Sequence, residues 1–208
     1  MKSDAIAFGI AGVLFGLIAG WIIGSQQATV PGQIASAPAA TSAPAGSGAA
    51  PQTRAAVLDE TQVKALKSVA EREPSNAQAR TQLGNLYFDA ERYEDAIAWY
   101  TESLKREPKD VNVSTDLGVC YYYTNQPDKA LAQFEQSLKL DPKHAKTLLN
   151  VGIVRAFGKQ DLDGASKAWQ QVIALAPESP EGQAAKRALD SLSSAHPTLG
   201  GAQKPAGS

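Results

Sequence analysis

Apolar residues fall into three regimes along this chain. Ala5 to Ile23 is an uncharged, mostly apolar run of 19 residues. Gln26 to Thr53 contains no Asp, Glu, Lys or Arg and is mostly Ala, Pro, Ser, Gly, Thr and Gln. From Asp59 to Ser194 apolar positions recur at helical spacing, as Leu83, Leu86 and Tyr87 do at i, i+3, i+4 and Ile97, Tyr100 and Leu104 do at similar intervals. Such spacing predicts amphipathic helices whose apolar stripes face a neighbour. The pattern also repeats at a step of 34: Leu83-Gly84 is followed by Leu117-Gly118 and Val151-Gly152. Behind these come Tyr87, Tyr121 and Arg155, then Ala96, Ala130 and Ala165, then Tyr100, Phe134 and Trp169. Pro74, Pro108 and Pro142 mark the boundaries, and Pro177 closes the last unit one residue late. A fixed period of this length means stacked supersecondary units, with these residues packing within and between them.

Each unit divides into two helices. The first is expected as Ala77 to Ala90, a turn at Glu91-Arg92, and Tyr93 to Arg106, where Pro108 stops it. The second is expected as Val111 to Thr124, a turn at Asn125-Gln126, and Pro127 to Leu140, with proline at a helix start where its missing N–H costs nothing. Gly84 and Ala96 are the small residues that let paired helices approach. The third unit carries one extra residue between Gly158 and Gly164, which predicts a looser turn and lower local stability. Flanking helices close the ends: residues 59–73, opening on an Asp59-x-x-Gln62 cap, and residues 180–193, with Ala185, Ala188, Leu189 and Leu192 on one face. The expected organisation is a short flank (1–4), a membrane-spanning helix (5–24), a disordered linker (25–57), a helical repeat domain (58–194) and a disordered tail (195–208). The repeats are placed at about 77–110, 111–144 and 145–179.

The first apolar run is long enough to span a bilayer: 19 helical residues rise roughly 28 Å, against a hydrocarbon core of about 30 Å. A cleaved signal peptide is the rival reading, but the run exceeds the usual apolar length and Gly24-Ser25-Gln26-Gln27 offers no small-x-small cleavage site. Gly12, Gly16, Gly20 and Gly24 recur every four residues, a spacing that lets two spans pack closely and makes a homo-oligomer possible. Lys2 precedes the run and no Lys or Arg follows until Arg54, which favours a cytoplasmic N-terminus and an exported bulk. Linker composition without charge or large apolar side chains cannot offset the entropy of ordering.

Composition adds mainly exclusions. A net charge of −1 and pI near 6.1 give no basic field for nucleic acid. The single Cys120 excludes an intramolecular disulfide and reads as a small core residue. The histidines are His144 and His196, the first at a repeat boundary and the second in the expected tail. No Cys/His group has metal-ligand spacing and no phosphate loop is present, so no metal, no cofactor, no small-molecule substrate and no enzymatic activity are expected. Asp161 and Asp163 read as a solvated turn.

The Leu-Gly, Tyr, Ala, Phe and Pro offsets resemble the tetratricopeptide repeat family over Ala77 to Pro177, with Arg155 departing from the aromatic position of the third unit. The resemblance implies an all-α solenoid of three helix pairs with capping helices, set behind the transmembrane helix. It implies a groove lined by the first helix of each pair. Carried onto this sequence, the groove residues are Asn85, Phe88 and Asp89, then Thr115, Val119 and Tyr122, then Lys146, Leu149 and Ile153. Thr81, Asn112, Tyr123, Asn150 and Phe157 are candidates of the same groove, and Tyr123 and Phe157 fit packing between repeats equally well. The floor is aromatic and aliphatic with few charges, suited to a hydrophobic peptide or amphipathic helix. Some family members clamp a terminal carboxylate with Lys and Asn; Asn85 and Lys146 match, whereas Thr81 and Asp116 do not, and Asp116 would repel a carboxylate. The expected function is a non-enzymatic, membrane-tethered adaptor, assembly factor or chaperone-like peptide holder, bound to the bilayer of a bacterial inner membrane with its repeats outside the cytoplasm. A self-assembling scaffold, through the glycine face and the solenoid ends, is the alternative. An anchor followed by a small repeat domain is also similar to subunits of cytochrome c maturation and to chaperone-like partners of the secretion translocon.

Overall fold

The structure, a computed structural model, describes residues 57 to 196, all of them within the second of two compact units, Ala56–Ser208. Eight helices are described: α1 (Glu60–Arg72), α2 (Ala77–Asp89), α3 (Tyr93–Leu104), α4 (Val111–Tyr123), α5 (Pro127–Leu140), α6 (Ala145–Ile153), α7 (Leu162–Leu175) and α8 (Pro180–Ala195). They form antiparallel pairs, α2 with α3, α4 with α5 and α6 with α7. Each second helix also packs on the first helix of the next unit, while α1 and α8 close the ends.

Short polar side chains start five of the eight described helices. Asp59 Oδ1 accepts from the N–H groups of Thr61 and Gln62 at 3.0 Å each, and Asn76, Asp110, Asp161 and Ser179 cap α2, α4, α7 and α8 in the same way. Left-handed residues turn the chain between paired helices: φ is 57° at Glu91, 58° at Asn125 and 56° at Gln160.

One aromatic ring per pair seats on one glycine. A Cβ built on Gly84 would overlap the ring of Tyr100, one on Gly118 the ring of Phe134, and one on Gly152 the indole of Trp169. Leu83, Ala96, Ala130 and Ala165 are fully buried beside these rings. Leu117 and Tyr87 are almost so, and Tyr121 is half-buried. This interlock is the reason the Leu-Gly and aromatic positions repeat together.

The extra residue of the third unit sits inside the helix rather than in the turn. Arg92 N–H bonds back to the Tyr87 carbonyl and Gln126 N–H to that of Tyr121, both at 2.8 Å, but the matching bond of the third unit, Asp161 N–H to the Arg155 carbonyl at 2.8 Å, spans one residue more. The residue is taken up by a π-helical turn, Val154–Gly158, that extends α6, with Lys159 N–H reaching the Val154 carbonyl at 3.0 Å. The turn that follows keeps its left-handed Gln160 and is tied by Arg155 Nη1 to Asp161 Oδ2 at 2.6 Å.

Arg80 holds the first capping helix. Its side chain is buried and donates to the carbonyls of Ala70 (2.9 Å), Asn76 (2.6 Å) and Glu73 (3.3 Å), the last two flanking the α1–α2 turn. One period on, the same position is Ser114, and then Leu148, so this cation serves α1 alone.

Among the described residues no helix is long and apolar enough to cross a membrane. The expected fold class is corrected accordingly, to an all-α solenoid of helix pairs without a transmembrane helix as part of it. The run from Ala5 to Ile23, with Gly12, Gly16, Gly20 and Gly24, lies outside the described residues, as do the linker to residue 56 and the tail from residue 197.

Candidate binding surface

The first helices α2, α4 and α6 lie in succession along one face, and polar side chains join them. Lys146 Nζ on α6 meets Asp116 Oδ1 on α4 at 2.7 Å, with the Asp116 side chain only 9% exposed. Thr115 Oγ1 meets Thr147 Oγ1 at 2.7 Å, and His144 Nδ1 reaches the same Thr147 hydroxyl at 2.7 Å. Between α2 and α4 the relation is repulsive: burial first, and the Asp116 carboxylate second, hold the Asp89 carboxyl above its usual range.

The residues read from the sequence as groove-lining divide into two layers. Asn85, Asp89, Tyr122 and Lys146 are half-buried and face outward. Phe88, Val119 and Ile153 are buried, and Thr115 and Leu149 are fully so, forming a support beneath that layer. Asn85 is itself held from below, accepting a hydrogen bond at 2.8 Å from the Tyr100 hydroxyl. Thr81 pairs its hydroxyl with Ser103 at 2.7 Å, Asn112 is exposed, Asn150 is buried, and Tyr123 and Phe157 are half-buried.

An aromatic cluster stands at the end of the face nearest the turns. Tyr93 and Tyr123 stack with centroids 4.5 Å apart and planes 11° apart, and Phe88 lies edge-on to both, at 5.5 and 6.2 Å. Tyr122 adjoins Tyr123 at 6.0 Å. Burial raises the phenol of Tyr93, and that of Tyr123 to about 12, so both are neutral donors at any ordinary pH. Tyr93 was not among the residues expected at the site. Its signal is positional: the residue that opens a second helix meets the end of the next unit's first helix. One period later Pro127 stands in its place and packs against Gly158.

Reactive chemistry is lacking in this region. Cys120 is fully buried, and burial first and Asp116 second push its thiol far above the reactive range. His144, half-buried, has its imidazole pKa lowered, chiefly by desolvation. No group of three or more His, Cys, Asp or Glu able to hold a metal ion exists among the described residues.

Two family models, each described as tetratricopeptide repeat, match residues 75–143 and 115–180. Residues 75 to 180, about half of the chain, therefore belong to the tetratricopeptide repeat family. No curated protein matches the chain. Among solved structures it is similar to the first TPR domain of human RPAP3, at 25% identity and a TM-score of 0.54 over 62% of this chain and 99% of that one. It is also similar to the first TPR of Spaghetti (RPAP3) bound to the HSP90 peptide SRMEEVD, at 26% identity and a TM-score of 0.52 over 57% and 91%. MamA, at 16% identity and a TM-score of 0.53 over 66% and 88%, shares the fold.

These findings make the described domain an all-α solenoid of tetratricopeptide repeats and correct the expectations tied to a membrane. The family matches cover repeats only, and no described helix crosses a bilayer. The membrane-anchored and signal-anchor reading is withdrawn. With it go the bilayer as a partner, the single-pass placement in a bacterial inner membrane with exported repeats, and the likeness to anchored cytochrome c maturation and translocon subunits.

Proposed function

We propose that the described domain is a protein-interaction module whose first-helix face, α2–α4–α6, receives an extended peptide or a helix of a partner protein. The observation that carries this is the two-layer build of the face: Asn85, Asp89, Tyr122 and Lys146 stand half-exposed on a buried support of Phe88, Val119, Leu149 and Ile153. Side chains fixed from below lose little further freedom when a ligand lands on them, which favours binding. Stacked helix pairs present such a face in series, and a relative at 26% identity has been solved with a peptide bound.

Affinity capture from cell extract, with wild-type chain beside Tyr122→Ala, tests the reading. Truncating a central aromatic anchor commonly costs about 2 kcal/mol, roughly a thirtyfold loss of affinity. Partner recovery should fall while circular dichroism shows unchanged helicity. Full recovery with intact helicity moves binding off this face.

A further inference from the structure

We propose that the cleft between the first and second units takes the arginine side chain of a partner protein. This site lies at the first turn of α4, about 12 Å along that helix from Tyr122, and is separate from the first-helix face.

Successive units meet through equivalent positions, and where α1 meets the first unit those positions hold the protein's own arginines. Arg80 Nη2 donates to the Ala70 carbonyl at 2.9 Å. That carbonyl lacks a helical donor, because the residue four further on is Pro74, which has no N–H. Arg106 Nε donates to the Pro74 carbonyl, also at 2.9 Å. Where the first unit meets the second, the counterparts of Ala70, Pro74, Arg80 and Arg106 are Leu104, Pro108, Ser114 and Leu140, each 34 residues on. These four line a cavity of about 260 Å³. At the next junction the place of Ser114 is taken by Leu148, which is buried. The small serine is therefore what leaves this junction open.

The acceptors persist where the arginines are gone. Pro108 deprives the Leu104 carbonyl of its helical donor as Pro74 does Ala70, and no backbone N–H of the described residues donates to the Leu104 or the Pro108 carbonyl. The nearby donors of Gln133 and Ser137 are spent on Ser114 Oγ, at 2.7 and 2.8 Å. Leu104 ends α3 and Leu140 ends α5, so two helix C-termini border the cavity with their partial negative charge, which favours a cation. Lys139, the one charged side chain among the described residues of the lining, is exposed and free to turn to water. The volume lies below the roughly 300–1,000 Å³ of small-molecule sites and suits one long side chain. A guanidinium brings five N–H donors in a plane, enough for both carbonyls at once, where an ammonium is a point charge. Leu104 and Leu140, the latter 42% exposed, suit its aliphatic stem.

NMR titration of the isotopically labelled full chain with the peptide acetyl-Ala-Arg-Ala-amide tests this, beside a copy carrying norleucine in place of arginine. Amide shifts at Lys105, Ser114 and Leu140 should saturate, with the arginine peptide binding at least about tenfold more tightly than the norleucine one. Ser114→Arg should fill the cleft from within, as Arg80 does at the junction before, and abolish those shifts. Tyr122→Ala should bind the arginine peptide as wild type does, which separates this site from the first-helix face. Shifts that never saturate, two peptides that bind alike, or shifts that persist in a folded Ser114→Arg chain overturn the proposal. Loss of the shifts in Tyr122→Ala of intact helicity also overturns it, by placing the peptide on the first-helix face. Should Ser114→Arg fail to fold, the comparison of the two peptides on the wild-type chain decides by itself.

Discussion

Gly152 and Trp169 occupy one another's space: a Cβ on the glycine would fall inside the indole, whose Nε1–H also donates to the Leu149 carbonyl at 3.2 Å. The same relation joins Gly118 to Phe134 without the hydrogen bond. Two effects oppose each other when alanine replaces either glycine. Helix propensity gains about 1 kcal/mol, whereas overpacking costs about 1–3 kcal/mol. Overlap with a rigid ring decides it, because no flexible chain end can swing aside. Gly118→Ala and Gly152→Ala should both lower the urea midpoint, Gly152→Ala by more because it also displaces the indole from its acceptor. Unchanged midpoints would mean that the helix pairs slide apart freely.

The Gly–ring interlock was readable in advance because it recurs: three copies of one contact leave three copies of one spacing. The π-turn was less legible, since an added residue shows as a count between Gly152 and Ala165 but not as a place. The layering of the candidate site was hidden for another reason. Helix α4 is enclosed by its neighbours so fully that Val113 to Cys120 are all buried, and a helix covered all round has no apolar stripe to mark its free face. Thr115 and Val119 therefore look like surface positions by register and are interior by packing. Arg80, the fastening of α1, breaks the repeat, and a residue present once carries no periodic signal.

Replacing Arg80 should free α1 with little effect on the repeats. Its guanidinium is buried on the carbonyls of Ala70, Glu73 and Asn76, and hydrogen bonds from a charged group contribute about 1.5–3 kcal/mol. Lysine presents a point charge in place of a planar fork and should not restore them. In Arg80→Ala, hydrogen exchange should quicken across Glu60–Arg72 while Val111–Leu140 keeps its protection. Uniform loss across all helices would show that α1 and the array unfold as one unit.

The third unit should open before the first. Its π-turn replaces regular helical bonds, and its fastening, Arg155 to Asp161, is about 40% exposed on both sides, where ion pairs contribute little. Hydrogen exchange should show less protection across Val151 to Ala174 than across Leu83 to Leu104. Equal protection would mean that α8, packed on α6 and α7, compensates in full.

The Lys146–Asp116 pair should respond unequally to its two halves. Lys146→Met leaves the buried Asp116 carboxylate without its partner and its existing repulsion of Asp89 unscreened, so a loss of about 3 kcal/mol is expected. Asp116→Asn removes the buried charge and leaves the more exposed ammonium to reach water, a milder change. The double variant should be more stable than Lys146→Met alone, as a thermodynamic cycle on urea midpoints would show. A double variant as unstable as the sum of the two would mean that the pair is not coupled.

Asp89 should weaken the fold while serving the site. Burial, with Asp116 adding to it, raises its folded pKa above the ordinary 3.8, so the ionised form costs stability at neutral pH. That sign fixes the pH window. Below about 3.8 the carboxyl is protonated in both folded and unfolded chains and nothing is lost. As pH rises from there to the higher folded value the unfolded chain ionises first and the cost builds; above that value it is complete and remains at neutrality. Asp89→Asn should therefore melt higher than wild type at pH 7, with the difference shrinking as the pH is lowered towards 4. Melting curves of both chains across that range provide the measurement. A variant no more stable at pH 7, or a difference that does not change with pH, would mean that Asp89 is well solvated and its charge tolerated.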